Sequence, residues 1–309
     1  MGTTYKVKFS PVSSYSPKEI SQKIEDILES FNLVCSTYIP SSEISKINQP
    51  KVFNGLVSQE FKALFLSGVS LNKKTQGSFD PTIGPLVNLW GFGPNKLKKV
   101  PTKKEVRQTK LLAGLQHYSL EQSSFIKKVP KAYLDFSAFA KGRGVDIVFE
   151  YLQGIGAKEV FVEIGGEIRV FGNNKTWRLG IESPEGSNNK SNAMKIVSIK
   201  KGSLATSGDY RNFYIDKRGD KISHGINLLS GHPKENLTAS VTVFRKSDCI
   251  SADAWATALM VSDFKKALEL SEAEGIAAYF IYKENVKDSK YMVHKTSAWI
   301  NTFEKGNTP

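Results

Sequence analysis

Two short runs that alternate apolar and polar residues, Glu159–Ile164 and Glu167–Phe171, face each other across Gly165-Gly166. Alternation with period two puts one set of side chains on one face of a pleated strand. A two-glycine turn supplies the backbone angles that join two such strands antiparallel. This hairpin commits the second half of the chain to a sheet. Strand patterns return in Thr176–Glu182, Met194–Lys200, Thr238–Phe244 and Ile276–Tyr282, and Tyr291–Ile300 closes the sheet. Phe213–Asp216 and Lys221–His224 flank Lys217-Arg218-Gly219-Asp220 as a second hairpin, while Leu204–Arg211 (L-A-T-S-G-D-Y-R) reads as a turn-rich connection.

Helical spacing dominates the first half, after a strand pattern at Thr4–Phe9. Ser16-Pro17-Lys18-Glu19 is a capping box with proline at the first helical position. Behind it Ile20, Ile24, Ile27, Leu28 and Phe31 share one face. Ser36–Ser45 is loop-like. A second helix is expected from about Ser58 to Lys74, with Phe61, Leu64, Phe65 and Leu71 inward and Gly77 as its stop. Asp80–Pro94 (D-P-T-I-G-P-L-V-N-L-W-G-F-G-P) predicts a shaped loop and a short helical piece. Ser251–Val261 and Phe264–Glu274 add an apolar and an amphipathic helix late in the chain. Helices early and strands late, without regular alternation, predict an α+β architecture rather than a doubly wound parallel sheet.

The 309 residues show no repeat, low-complexity tract or clear linker, so the chain reads as one domain, 1–309, with a basic insert at about 95–131. A hydrophobic share of 40% and a charged share of 24% are ordinary for a globular protein. No apolar run approaches the ~20 residues that span a bilayer. The net charge of +13 is densest in Lys96–Lys131, where ten Lys/Arg stand against Glu105 and Glu121. That patch holds only Tyr118 and Phe125 as aromatics, not a basic–aromatic alternation, and no nucleic-acid fold signature accompanies it, so it predicts a solvated basic loop-and-helix face, with no nucleic acid as partner. Cys35 and Cys249 have no partner motif, and Cys249 reads as a buried free thiol. The segment M-G-T-T-Y at Met1–Tyr5 enters a strand without a basic and apolar leader, so the chain is either cytosolic or has lost an export signal.

Three stretches carry candidate chemistry. In Asp135–Asp146 (D-F-S-A-F-A-K-G-R-G-V-D) an extended run, Ala132-Tyr133-Leu134, feeds a helix with Ser137 as its expected N-cap. Small residues at Ala138, Ala140 and Gly142 allow close approach, and Lys141 adds a cation beside the N–H groups of the first turn. Such a junction suits an anion, because N–H groups and helix dipole both favour negative charge; an ordinary junction with a solvated lysine is the alternative. Asp253 and Thr257 lie one turn apart on an otherwise apolar helix. A carboxylate buried there needs a cation or a hydrogen-bond network. One carboxylate, one hydroxyl and a carbonyl suit Mg²⁺ when phosphates and waters complete its octahedron, while a first-turn Asp that stabilises the helix dipole is the alternative. His224 ends a strand beside Asn227 and is a candidate base. The glycines at Gly165 and Gly166 fit a phosphate cradle and a plain hairpin equally well. Tyr38, in a polar loop, could stack on a planar ring. His117, His232 and His294 have no polar constellation. No P-loop, G-x-G-x-x-G, H-E-x-x-H or G-x-S-x-G signature occurs.

In order, these stretches resemble the ApbE family, the FAD:protein FMN transferases. The matching pieces are M-G-T-T-Y at Met1–Tyr5, S-E-I-S-K-I-N at Ser42–Asn48, F-D-P-T-I-G-P-L-V at Phe79–Val87 and W-G-F-G-P at Trp90–Pro94. They continue with D-F-S-A-F-A-K-G at Asp135–Gly142, E-I-G-G-E-I at Glu163–Ile168, L-A-T-S-G-D-Y-R at Leu204–Arg211 and A-D-A-W-A-T-A-L at Ala252–Leu259. The pieces keep the family's order and span nearly the whole chain. The resemblance implies a single, T-fold-like domain of mixed, mainly antiparallel sheets with flanking helices. It implies a Mg²⁺-dependent enzyme that cleaves FAD, releases AMP and leaves FMN esterified through phosphate to a Thr or Ser of an acceptor protein, such as a respiratory or electron-transfer membrane subunit.

By the same resemblance the metal ligands are Asp253, Thr257 and the carbonyl of Ala138. FAD contacts fall at Met1, Tyr38, Ser78, Phe79, Asp80, Asp135, Lys141, Gly165, Gly166, His224 and Asn227, and the catalytic set is His224, Asp253 and Lys141. One departure stands out. The family's turn usually reads H-x-x-D-P-x-T-G, and this chain has Asn227 for the Asp and Leu228-Leu229-Ser230 for Pro-x-Thr. An amide neither accepts a proton nor neutralises a cation as a carboxylate does. That motivates a second reading, a non-catalytic flavin-binding protein, beside a Mg²⁺-dependent FAD diphosphatase that would use the same site with water in place of the acceptor hydroxyl. Members of the family are commonly exported, often as lipoproteins, so the resemblance implies a periplasmic or cell-surface protein, membrane-associated only through a lipid anchor ahead of this chain.

Overall fold

The computed structural model describes residues 2–94, 100–121, 124–184, 193–209, 213–217, 219, 221–234, 237–285, 288 and 290–305. Met1, an expected flavin contact, therefore lies outside the described residues. So do Lys96, Lys98 and Lys99 of the basic patch, Tyr210 and Arg211 of the Leu204–Arg211 piece, and Arg218 and Asp220 of the second hairpin's turn.

In chain order the elements are β1 (Tyr5–Phe9), α1 (Pro17–Cys35), α2 (Glu43–Ile47), β2 (Phe53–Leu56), α3 (Gln59–Lys74), α4 (Gly84–Leu89), α5 (Lys103–Lys110), β3 (Tyr118–Glu121), β4 (Ser124–Lys127) and α6 (Ser137–Gly154). Strands then take over with β5 (Glu159–Ile164), β6 (Glu167–Gly172), β7 (Trp177–Glu182), β8 (Ala193–Ile199), β9 (Lys201–Gly208), β10 (Phe213–Ile215), β11 (Lys221–Ser223), β12 (Ile226–Asn227), β13 (His232–Pro233) and β14 (Thr238–Arg245). The chain closes with α7 (Cys249–Val261), α8 (Phe264–Ala273), β15 (Ala277–Tyr282), β16 (Met292–Lys295) and α9 (Ser297–Phe303). The fold is α+β, with antiparallel strand pairing throughout the described sheets. No helix among the described residues is long and apolar enough to cross a membrane.

The chain forms two compact units. The first comprises Met1–Leu28, Phe139–Tyr210 and Asn236–Pro309. Its seven-stranded sheet runs β1-β5-β6-β9-β14-β15-β16. Val160, Val162 and Ile164 of β5 pack against Ile20, Ile24 and Leu28 of α1 and Val145, Val148, Phe149 and Leu152 of α6. On the opposite side, Val170, Leu204, Phe244 and Tyr279 pack with Trp177, Leu179 and Ile181 of the β7–β8 hairpin and with Trp299 of α9. The expected β5–β6 hairpin is present, with Ile164 opposite Glu167.

Three local expectations fail in or beside this unit. Over its described residues the Leu204–Arg211 stretch is not a turn-rich connection: Leu204–Gly208 belongs to a strand, Lys201–Gly208, which pairs with β6 over Lys201–Leu204 and with β14 over Ser203–Gly208. Its Ser and Gly have turn-like composition, and the neighbouring ladders override that propensity. Tyr291–Ile300 is a strand only over Met292–Lys295. Thr296 then caps α9 by accepting the Trp299 N–H, which ends the strand. Ser137 is not the N-cap of α6 but its first residue, and its N–H is taken by Asp135 Oδ1 at 2.8 Å.

The second unit comprises Glu29–Ala138 and Arg211–Glu235. Phe61 and Phe65 of α3 meet Phe125 of β4 at ring distances of 5.1 and 4.9 Å, over a small sheet ordered β2-β4-β3. The basic insert is thus no loop-and-helix face alone. Its helix α5, closed by a Thr102–Glu105 capping box, is followed by the β3–β4 hairpin, which buries Tyr118 and Phe125. Leu86, Trp90, Val106 and Ile226 form a second cluster in this unit, and Trp90 Nε1 donates to the Gly231 carbonyl at 2.9 Å. The loop-like Ser36–Ser45 ends inside α2, which Ser42 caps.

Candidate functional site

In the first unit α6 and α7 cross with their backbones in contact. A Cβ on Gly142 would lie 2.4 Å from the Cys249 carbonyl oxygen and 2.8 Å from Ile250 Cα, so only glycine allows this approach. Two carboxylates lock the crossing. Asp146 of α6 accepts the N–H groups of Cys249 (2.8 Å) and Ile250 (2.9 Å) at the start of α7, together with Arg169 at 2.7 Å. Asp253 of α7 accepts the Gly142 N–H through Oδ2 at 2.9 Å.

This lock aims Asp253 at Lys141, the neighbour of Gly142. Lys141 Nζ lies 3.9 Å from Asp253 Oδ1 and 2.6 Å from Glu167 Oε1. Gly165, with φ of +63°, carries the hairpin past the lysine stem. A Cβ there would stand 3.3 Å from Lys141 Cδ and 2.9 Å from Thr3. The Gly166 N–H donates to Glu163 at 2.8 Å, so these glycines serve the hairpin geometry directly. Thr257, one turn beyond Asp253, shares a hydrogen bond of 3.2 Å with Ser207 of β9. Ala138 stands at the second position of α6, one turn before Gly142.

Two carboxyls share one ammonium here. Asp253 and Glu167 are 2% and 1% exposed, and only with both ionised would the cluster carry one excess negative charge. Burial raises the Asp253 carboxyl against the pull of Lys141 and the Gly142 N–H. Burial, then the charge of Asp253, pushes Glu167 up to about 8 despite the Lys141 contact. For Lys141, burial acts to lower the pKa, but Asp253 and Glu167 outweigh it and hold the ammonium above its ordinary range. Glu167 Oε2 is buried without a hydrogen-bond partner. An orphaned buried carboxyl oxygen, in a group that a nearby positive charge would hold ionised, suits an added cation. Hard oxygen donors from Asp253 and Thr257 suit Mg²⁺ in particular. Among the described residues no group of three or more His, Cys, Asp or Glu is arranged to hold a metal, so any ion here draws on hydroxyl, carbonyl or ligand oxygens too.

The second unit holds the remaining expected residues. Asp80 accepts the Thr82 N–H and hydroxyl through Oδ1, at 2.7 and 2.6 Å, and Asn72 through Oδ2 at 3.1 Å. Burial raises its carboxyl against those bonds. Phe79 is buried, its N–H on Thr75 and its carbonyl on Asn72, and Ser78 is half-buried with its N–H on the Thr75 carbonyl. Asp135 is 9% exposed, and its N–H donates to the Pro81 carbonyl at 2.8 Å. These four shape the Ser78–Thr82 turn and its junction with α6. Tyr38 is 59% exposed, and its hydroxyl donates to the Phe92 carbonyl at 3.2 Å. The ring of Phe92 lies 6.3 Å from that of His224, which is exposed. Asn227 Oδ1 accepts the Ser230 N–H at 3.1 Å, a turn-stabilising bond. A cleft opens nearby in sequence, lined by Thr37, Asn48, Gln49, Pro50, Asn88 and Tyr133. Side chains of Asn88, Asn48 and Thr37 hydrogen-bond Tyr133 there.

Glu167, Asp146 and Arg169 carry no role in the sequence reading. Asp146 had little signal, since it lies one step around the helix from the Val145, Val148, Phe149 and Leu152 stripe.

The sequence model of the ApbE family matches residues 1–280. A chain from Vibrio cholerae named FAD:protein FMN transferase is 39% identical over 289 residues, covering 92% of this chain and 85% of the relative. One of the same name from Haemophilus influenzae is 35% identical, covering 98% and 90%. The solved apo form of Pseudomonas stutzeri flavinyl transferase ApbE superposes with a TM-score of 0.86 at 33% identity, covering 99% of this chain and 95% of that one.

Proposed function

The chain belongs to the ApbE family, and from that membership we propose that it is a flavin transferase that cleaves FAD and attaches the FMN half to a Thr or Ser hydroxyl of an acceptor protein, with AMP leaving. The observation that carries this reading is the cluster of half-buried Lys141 with the buried carboxyls of Glu167 and Asp253, two acids on one ammonium. It supports a site built for a divalent cation and a pyrophosphate together.

In this reading Asp253 and Thr257, with the Ala138 carbonyl, hold Mg²⁺. The ion, when bound, offsets charge on the pyrophosphate oxygens. Lys141 donates from Nζ to a phosphate oxygen and stabilises charge that develops on the leaving group. Glu167 holds that ammonium in place, and the Gly142 N–H keeps Asp253 turned toward it. His224 accepts the hydroxyl proton on a ring nitrogen as the acceptor oxygen bonds to the FMN-side phosphorus. The phosphoanhydride bond to AMP breaks in the same exchange, and AMP departs with the bridging oxygen. The cleft of the second unit, with its Tyr133 network, takes part of the flavin nucleotide, and Tyr38, Ser78, Phe79, Asp80 and Asp135 are the further flavin contacts this reading assigns.

The deciding experiment is mass spectrometry of a Thr-containing acceptor after incubation with FAD and Mg²⁺. Transfer adds FMN less one water. AMP release at full rate without an acceptor would show a diphosphatase instead, and tight FAD binding without AMP under any condition would show a flavin carrier. Asp253→Ala should abolish turnover; undiminished turnover would remove the basis of the mechanism.

A further inference from the structure

Lys127, the last residue of β4, has no exposed surface. Lysine is almost never fully buried unless paired. Here the pairing is with backbone. Nζ donates to the carbonyls of Gln49 at 2.6 Å, Pro130 at 3.1 Å and Ala132 at 3.3 Å. An ammonium has three donors and no acceptor, so the three carbonyls match it one for one. Burial draws its pKa down to about 8, a cost that only a fixed structural return would sustain.

The carbonyls belong to two segments distant in sequence. Gln49 and Pro50 line the cleft, and Pro130–Ala132 run directly into Tyr133, which lines it too. A second tie joins the same segments. Asn48 Nδ2 donates to the Leu134 carbonyl and the Leu134 N–H donates to Asn48 Oδ1, both at 2.8 Å. The lysine itself is anchored on the central strand of the small sheet, opposite Phe53 of β2 and Tyr118 of β3. A rigid strand thus projects a triple donor between two cleft-forming loops that make no regular secondary structure.

We propose that Lys127 is a positioning residue for nucleotide binding: its buried ammonium sets the spacing of the Gln49–Pro50 and Pro130–Tyr133 walls of the cleft. This rests on the reading that the cleft takes part of FAD. It assigns the lysine no contact with the ligand and no part in the chemical step, so its loss acts on binding and spares turnover at saturation.

Lys127→Met keeps the apolar stem and removes all three donors. On the full chain, FAD affinity is read from flavin fluorescence, kcat from transfer at saturating FAD, and wall mobility from hydrogen–deuterium exchange. The dissociation constant should rise about tenfold, from lost hydrogen bonds to a charged donor. kcat should stay within about twofold, and exchange should quicken in both Gln49–Lys51 and Lys131–Leu134. An unchanged dissociation constant in the folded variant, or a fall in kcat at unchanged affinity, overturns the proposal. Should Lys127→Met not fold, Lys127→Gln, which retains two donors, is read by the same criteria with a smaller effect. If the wild-type protein does not bind FAD, the functional reading fails by itself. The exchange comparison then still decides the role of Lys127, because unchanged exchange at both walls refutes it.

Discussion

Gly142→Ala separates two physical arguments that predict opposite signs. On helix propensity alone, replacing a mid-helix glycine by alanine should stabilise the protein by about 1 kcal/mol. The crossing of α6 and α7 says otherwise. The new Cβ would sit 2.4 Å from the Cys249 carbonyl oxygen and 2.8 Å from both the Cys249 carbonyl carbon and Ile250 Cα. All three are backbone atoms, so no rotamer change relieves the clash, and α7 must withdraw by about 1 Å to reach ordinary contact. Overpacking of that kind costs about 1–3 kcal/mol. Withdrawal also stretches the 2.9 Å bond from the Gly142 N–H to the buried Asp253, worth about 1.5–3 kcal/mol for a charged acceptor. The net expectation is a loss of roughly 2–5 kcal/mol. Urea unfolding of wild type and variant, compared at equal m-value, measures it. The variant should also lose transfer activity, because Asp253 moves with α7. A midpoint equal to or above wild type would refute the crossing argument.

Three further outcomes follow from particular groups. Burial raises the Asp146 carboxyl to about 6 despite Arg169 and two amide N–H groups. The group binds its proton more tightly folded than unfolded, so its contribution is full below about pH 4 and lost as pH rises through 6. The stability of wild type relative to Asp146→Asn should therefore fall by up to about 3 kcal/mol between pH 4 and pH 7; parallel pH curves would contradict this. Cys35 and Cys249 are free and buried, with burial pushing Cys35 up to about 12 and Cys249 well above its ordinary value. An alkylating reagent at pH 8 should label neither until the protein is unfolded, which intact-mass measurement checks. Asn227→Asp keeps the oxygen that accepts the Ser230 N–H, so unfolding should shift by no more than about 0.5 kcal/mol. A change in transfer rate at unchanged stability would then report a chemical role for the added carboxylate.

The elements legible in advance are those whose local chemistry agrees with their surroundings. The β5–β6 hairpin is specified by alternation and two glycines, and α3 by Ser58 and its apolar stripe, with Ser58 accepting the Phe61 N–H as a cap should. β9 differs from its turn-like reading because Ser203, Ser207 and Gly208 carry no strand signal of their own. They become a strand because β14 pairs with them, with β6 joining at Ser203. In the candidate site Lys141 and Asp253 stood out as charges on small-residue or apolar helices. Glu167 did not, since a glutamate after a glycine turn usually faces water.

Residue order by itself determined the α+β class, the starts of α1 and α3, the antiparallel hairpins and the motif set that marks the family, because each of these depends on spacing over a few neighbouring positions. Only the folded chain decided that Lys141 turns to Glu167 and Asp253 instead of to solvent, that Asp146 caps a helix more than a hundred residues away, and that Lys127 is buried among carbonyls. The reason is physical. A charge finds its partner through tertiary contact, and the cost of burying it is settled by whatever distant backbone or side chain arrives beside it.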